Sequence, residues 1–69
     1  MNPHTTAERE LSGAGYQFKR AGKKHDIWFH PELKTIIPLK RHDFNENDLN
    51  CIQKEIRQQK DRHGKEDRG

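Results

Sequence analysis

His25-Asp26-Ile27-Trp28-Phe29-His30, entered through Gly22-Lys23-Lys24 and left through Pro31-Glu32-Leu33-Lys34, is the stretch that decides the fold. It is rich in β-branched and aromatic side chains and is bounded by a glycine-containing and a proline-containing break, which predicts a β-strand over 25–30. Side chains of a strand alternate between its two faces, so Ile27 and Phe29 share one face and Asp26, Trp28 and His30 the other. Ile27 and Phe29 are the expected core pair, with Trp28 on the open side of the sheet.

Working outward, Tyr16-Gln17-Phe18-Lys19-Arg20 alternates apolar and polar residues and predicts a strand over 16–20. Thr35-Ile36-Ile37 is β-branched throughout and predicts a third strand, stopped by Pro38, which lacks the N–H a ladder needs. The connections are short, so the three strands form an antiparallel meander. Upstream, Thr5-Thr6-Ala7-Glu8 has the form of a capping box and opens a helix over 6–12, with Ala7 and Leu11 one turn apart and Gly13 and Gly15 at its end. Residues 39–44 read as a loop. Asn45 is an expected N-cap, with Phe44 placed to staple onto Leu49, and Leu49, Ile52 and Ile56 carry a second helix over 46–59. Residues 1–4 carry no packing signal, and the charged stretch 61–69 reads as a disordered tail beside a single domain over 1–60. The predicted class is α+β with the order α-β-β-β-α: a three-stranded antiparallel sheet with two helices on one face. This is the topology of double-stranded-RNA-binding domains.

Sixty-nine residues allow one small domain, and with only 28% of them hydrophobic the core is thin, so a stabilising partner is expected. The single cysteine, Cys51, cannot form an intrachain disulfide and suits a reducing compartment. By its spacing, Cys51 flanks the inward-facing Ile52. No apolar run is long enough to span a membrane, and the expected setting is the cytoplasm. The formal charge is +3, and Lys19, Arg20, Lys23 and Lys24 fall within six positions that hold no acid. Such a local cationic patch favours polyanions, nucleic acid among them.

His25 is the first candidate for chemistry. An imidazole exchanges protons near neutrality, and RNA cleavage without a metal needs a base for the 2′-OH, an acid for the departing 5′-oxygen and cations for the phosphoryl charge. His25 can serve as base or acid, with Lys23 and Lys24 as the cations; by parity it should stand at the mouth of the helix-covered layer. A surface histidine that merely caps a turn is the competing reading. His42 follows Lys40 and Arg41 in the loop before the second helix, whose N-terminus offers a seat for phosphate, and is a candidate second acid–base group. His30 reads as a turn residue, and His4 and His63 as tail residues. Trp28, on the expected open face, would anchor a protein interface, shield the sheet or stack a base. The five histidines and one cysteine lack metal-site spacing, with no HxxxH on a helix and no CxxC, so no metal or other cofactor is expected.

Gly15-Tyr16 after a short helix, Arg20, Gly22-Lys-Lys-His25-Asp-Ile-Trp, Ile37-Pro38 and Arg41-His42-Asp-Phe-Asn-Glu-Asn before a closing helix together resemble the HicA toxins of type II toxin–antitoxin systems. The resemblance runs from about residue 11 to residue 56. It implies a dsRBD-like fold, a metal-independent endoribonuclease acting on mRNA, and a HicB-type antitoxin that covers the site and mediates any contact with DNA. The family's catalytic histidine falls on His25, while His42 lies in its Pro-Arg-His loop. Arg20, Lys23, Lys24, Lys40 and Arg41 are the expected RNA-binding cations. The chain departs from the family in having Lys23-Lys24 where many members have Gly-Ser, Lys40 at the loop proline, and a charged tail. A non-catalytic module that binds RNA or protein is the alternative.

Overall fold

The structure is a computed structural model that describes the backbone of residues 2–68 and the side chains of residues 2–62. Five elements follow in order: α1 (Pro3–Gly13), β1 (Gln17–Ala21), β2 (His25–His30), β3 (Thr35–Lys40) and α2 (Glu46–Arg68). The strands form one antiparallel sheet in the order β1-β2-β3, with α1 packed along α2 and α2 lying on β3. The α+β class and its α-β-β-β-α order are as expected.

Helix α1 starts earlier than the Thr5–Glu8 pattern predicts. Asn2 is the N-cap, its Oδ1 accepting the Thr5 N–H at 2.8 Å, and Pro3 occupies the first turn. Proline there sacrifices no helix bond and brings a helical φ, so Asn2-Pro3 outcompetes the threonine box. His4 therefore belongs to a helix rather than a tail, and its ring meets Phe44 edge-on at 5.4 Å. At the other end Gly15 donates to the Ser12 carbonyl and Tyr16 to the Leu11 carbonyl, a paired closure that requires Gly15 at φ 98°.

The sheet faces are the reverse of those read from β2 alone. Trp28 is opposite Ile37 in the β2–β3 register, and both are buried together with Leu39, Ala7, Leu11, Tyr16 and Ile52. Trp28 is 8% exposed and belongs to the core, which removes it as an exposed partner anchor. Ile27 and Phe29 lie instead on the uncovered face, with Ile36 and Pro38. β3 decides the matter: Ile37 and Leu39 are fully buried, and register ties their face to Trp28. Strand β3 also runs through Pro38 to Lys40 instead of stopping at Ile37. It is an edge strand, where alternate N–H groups point away from the sheet and a proline forfeits no ladder bond.

Helix α2 begins as expected, with reciprocal bonds between Asn45 and Asp48: Asn45 N–H to Asp48 Oδ2 at 3.0 Å and Asp48 N–H to Asn45 Oδ1 at 3.1 Å. Phe44, Leu49 and Ile56 pack on the core. The helical backbone continues past Gln59 to Arg68, through most of the stretch expected to be a disordered tail. Lys, Arg, Glu and Gln are strong helix formers, and the loss of apolar spacing ends the buried stripe without ending the helix. The His63 side chain and Gly69 lie outside the described residues. Cys51 is exposed, not a flank of the core. No helix among the described residues is long and apolar enough to cross a membrane.

Candidate functional site

The β1–β2 turn is closed by the Gly22 N–H donating to the His25 carbonyl at 2.8 Å, and a Cβ on Gly22 would stand 2.6 Å from that oxygen. Glycine is therefore needed there for close backbone approach. His25, the next residue after the turn, begins β2 opposite Lys40 at the end of β3. It is exposed on the uncovered face, not at the mouth of the helix-covered layer, because its parity follows Ile27 and Phe29. The loop after β3 returns beside it. Lys24, His25, Lys40, His42 and Asp43 together line an open cleft of about 340 Å³.

Four of the expected site residues thus meet. Neither imidazole, nor the Lys24 ammonium, has a hydrogen bond or ion pair among the described residues, so all three face the cleft uncommitted. Lys40 is committed: its Nζ donates to the Asp43 carbonyl at 3.2 Å and lies 3.7 Å from Asp48 Oδ2. The α2 N-terminus is not the open phosphate seat expected of it. Asn45 takes one of its N–H groups, and Glu46 and Asp48 already oppose the positive dipole end.

Arg41 differs most from expectation. Its Nη2 donates to the Gly22 carbonyl and, at 2.6 Å, to the Lys23 carbonyl. Its Nε lies 3.7 Å from Asp26 Oδ1, an ion pair too long to be a hydrogen bond, and its backbone N–H donates to the Lys24 carbonyl at 3.2 Å. One guanidinium thereby ties the turn that carries His25 to the loop that carries His42. It also places a positive charge beside Asp26, which sits at the end of the covered face with its side chain 15% exposed. Arg41 is a clamp beneath the cleft, where the sequence suggested a direct RNA contact.

The remaining cations lie apart. Lys23 is exposed on the turn outside the cleft lining, and Arg20 stands on β1 opposite Ile27 on the uncovered face. Next to Arg20, the register shift between Phe18 and Arg20 turns Lys19 so that its Nζ sits 4.8 Å over the Phe29 ring. Two acids of the site were missed. Asp43 has φ 56°, a conformation aspartate tolerates better than most residues, and that was the available signal. Asp26 gave none, because its partner is fifteen positions away.

The far end of β2 is built differently. His30 Nδ1 accepts the Leu33 N–H at 3.1 Å, as a turn residue should, and its ring packs edge-on to Tyr16 at 5.0 Å. Burial, and secondarily the Glu55 carboxylate, push the Tyr16 phenol above its ordinary value. Among the described residues no group of three or more His, Cys, Asp or Glu side chains is placed to hold a metal ion. Comparison with models of known protein families, with curated proteins and with solved structures found no match, so the residues of the cleft themselves carry the functional reading.

Proposed function

We propose that this protein is a HicA-type toxin, an endoribonuclease that cleaves mRNA without a metal, with His25 as its catalytic residue. The observation that carries the reading is the cleft in which His25 and His42 stand beside Lys24, all three without a hydrogen bond or ion pair among the described residues. In this scheme one imidazole removes the proton from a ribose 2′-OH and the 2′-oxygen attacks the adjacent phosphorus. The bond from phosphorus to the 5′-oxygen breaks, leaving a 2′,3′-cyclic phosphate and a 5′-hydroxyl. The second imidazole, as its cation, protonates the departing oxygen. Lys24 supplies positive charge where the phosphoryl oxygens gain negative charge, and Lys40 adds less because Asp48 partly neutralises it. A HicB-type antitoxin in the cytoplasm, covering the cleft, is the expected partner.

The test is cleavage of a single-stranded RNA by purified protein in the presence of a chelator, with product ends analysed. Wild type should yield cyclic phosphate ends, and His25→Ala should lose at least about a hundredfold in rate, the scale of a general acid or base. His42→Ala should lose less if water replaces it. Undiminished cleavage by His25→Ala would remove His25 from the chemistry. RNA binding that survives His25→Ala, with no cleavage by either protein at any pH, would favour the non-catalytic binding module.

A further inference from the structure

Asp43 is the one acid lining a cleft whose other side chains, Lys24, His25, Lys40 and His42, are cations or can become cations. A carboxylate in that position repels a polyanion, and the local structure makes no use of its charge. The left-handed turn at φ 56° needs a residue that tolerates the conformation, and asparagine or glycine would serve without a charge. The position is held through the main chain instead: Lys40 Nζ donates to the Asp43 carbonyl, and the next residue, Phe44, packs on the core. The carboxylate itself has no hydrogen bond or ion pair among the described residues, so it is not the orienting acid of either His25 or His42. It also belongs to no group of three or more metal-ligating side chains among those residues.

We propose that Asp43 reads a base, selecting guanine in the nucleotide beside the scissile phosphate. An ionised carboxylate only accepts hydrogen bonds, through two oxygens. Single-stranded RNA presents donors on the edges of its unstacked bases. Guanine alone carries two adjacent donors on its Watson–Crick edge, N1–H and the 2-amino group, and these match both oxygens in one bidentate pair. Adenine and cytosine set a donor beside an acceptor, and uracil flanks its N–H with two carbonyls, so each of them turns lone pairs towards the carboxylate. A cleft of about 340 Å³ seats one nucleotide, which keeps the base that is read next to the phosphate facing His25 and His42. Asp43 thus weakens the binding of any phosphate backbone, and guanine offsets that loss where the other bases do not.

This inference rests on the proposed function for bringing a scissile phosphate into the cleft; base selection itself is measured without cleavage.

The test is binding of four 2′-O-methyl oligouridylates to the full chain by fluorescence anisotropy, each carrying guanine, adenine, cytosine or uracil at its central position. A methylated 2′-oxygen cannot attack phosphorus, so none of them is cut. The guanine oligonucleotide should bind about tenfold more tightly than the other three, the discrimination that one bidentate pair supplies. Inosine, which lacks the 2-amino group, should lose most of that advantage. Asp43→Asn keeps a side chain that tolerates the turn but presents one donor and one acceptor, so the guanine advantage should disappear. Should that variant not fold, the inosine comparison on the wild type decides alone. Equal binding of all the bases, inosine matching guanine, a guanine preference that survives Asp43→Asn, or no binding at all would overturn the inference. Unmodified RNAs of the same sequences test the nuclease reading separately. Guanine-selective binding without cleavage would remove that reading and keep this one, while cleavage of every sequence alike would do the reverse. A loss of kcat in Asp43→Asn that is equal for all sequences, with KM unchanged, would make Asp43 a positioning group and overturn its role as a base reader.

Discussion

Arg41→Ala separates a clamp from a phosphate contact, because the two roles predict opposite results in a melting experiment. The guanidinium is one-third exposed and donates to two backbone carbonyls, with the mostly buried Asp26 carboxylate beside it. Hydrogen bonds that involve a charged group contribute roughly 1.5–3 kcal/mol each when buried, and much less when water can replace the partner. The Lys23 carbonyl is on an exposed turn and regains water. The Gly22 carbonyl and Asp26 are less accessible, so the net loss should be about 2 kcal/mol. For a domain of this size that lowers Tm by roughly 8–16 °C. Arg41→Lys should recover only part of it, since one ammonium cannot both donate to the two carbonyls and stand beside Asp26, as Nη2 and Nε of the guanidinium do. A double-mutant cycle with Asp26→Asn should show coupling, and hydrogen exchange at the Gly22 amide should quicken in the alanine variant. Cleavage should fall in parallel, because the His25 turn and the His42 loop lose their shared tie. A phosphate contact would give the reverse: a melt within about 0.5 kcal/mol of wild type, as for other surface substitutions, with RNA affinity lost. That result would refute the clamp.

Other outcomes follow from the covered side of the sheet. Gly15→Ala must hold φ near 98° and place a Cβ 2.6 Å from His30 Nε2, so it should cost upward of about 1–2 kcal/mol in urea denaturation; an unchanged midpoint would mean the α1–β1 turn is not built this way. Trp28→Ala should cost about 3–5 kcal/mol, and emission from the sole tryptophan should resist acrylamide quenching in the wild type, where an exposed ring would be quenched freely. The Tyr16 phenol has a folded pKa above its unfolded value of about 10, so its contribution is complete below that pH and is lost as pH rises through the folded pKa. Tyr16→Phe should abolish that alkaline loss. Near neutrality it should have little effect, because the buried hydroxyl has no hydrogen-bond partner among the described residues. An identical alkaline profile in the phenylalanine variant would assign the loss to other groups.

Element order was legible because each element carries its own local signal: alternation at 16–20, β-branching at 35–37, and helical spacing of Leu49, Ile52 and Ile56. The face of the sheet was not. Parity within β2 says which residues stand together, not which set is covered, and both sets contain large apolar side chains. The deciding residue was Leu39, fully buried on β3. Ending the strand at Pro38 placed it in a loop, and with it went the Ile37–Leu39 pair that orients the sheet. The same hidden extension concealed the site's geometry. Once β3 reaches Lys40, that residue stands opposite His25, and the loop that follows brings His42 into the same cleft.

The two ends of β2 show why residue type alone could not assign roles to its histidines. Both flank a turn, and both are titratable rings on a rigid strand. His30 lies against Gly15 and Tyr16 with its Nδ1 engaged by the Leu33 amide, and protonating that nitrogen would break the bond. A ring so used cannot accept a proton from substrate without disturbing the turn. His25 is exposed, and the polar work around it is done by the backbone: its carbonyl accepts from Gly22 while Arg41 holds the neighbouring carbonyls. The turn is fixed without using the imidazole, which leaves both ring nitrogens for chemistry. Under the proposed function, the Arg41 clamp leaves the His25 imidazole available, and the two residues should fail in different ways: His25→Ala in rate with the fold intact, Arg41→Ala in stability first and rate as a consequence.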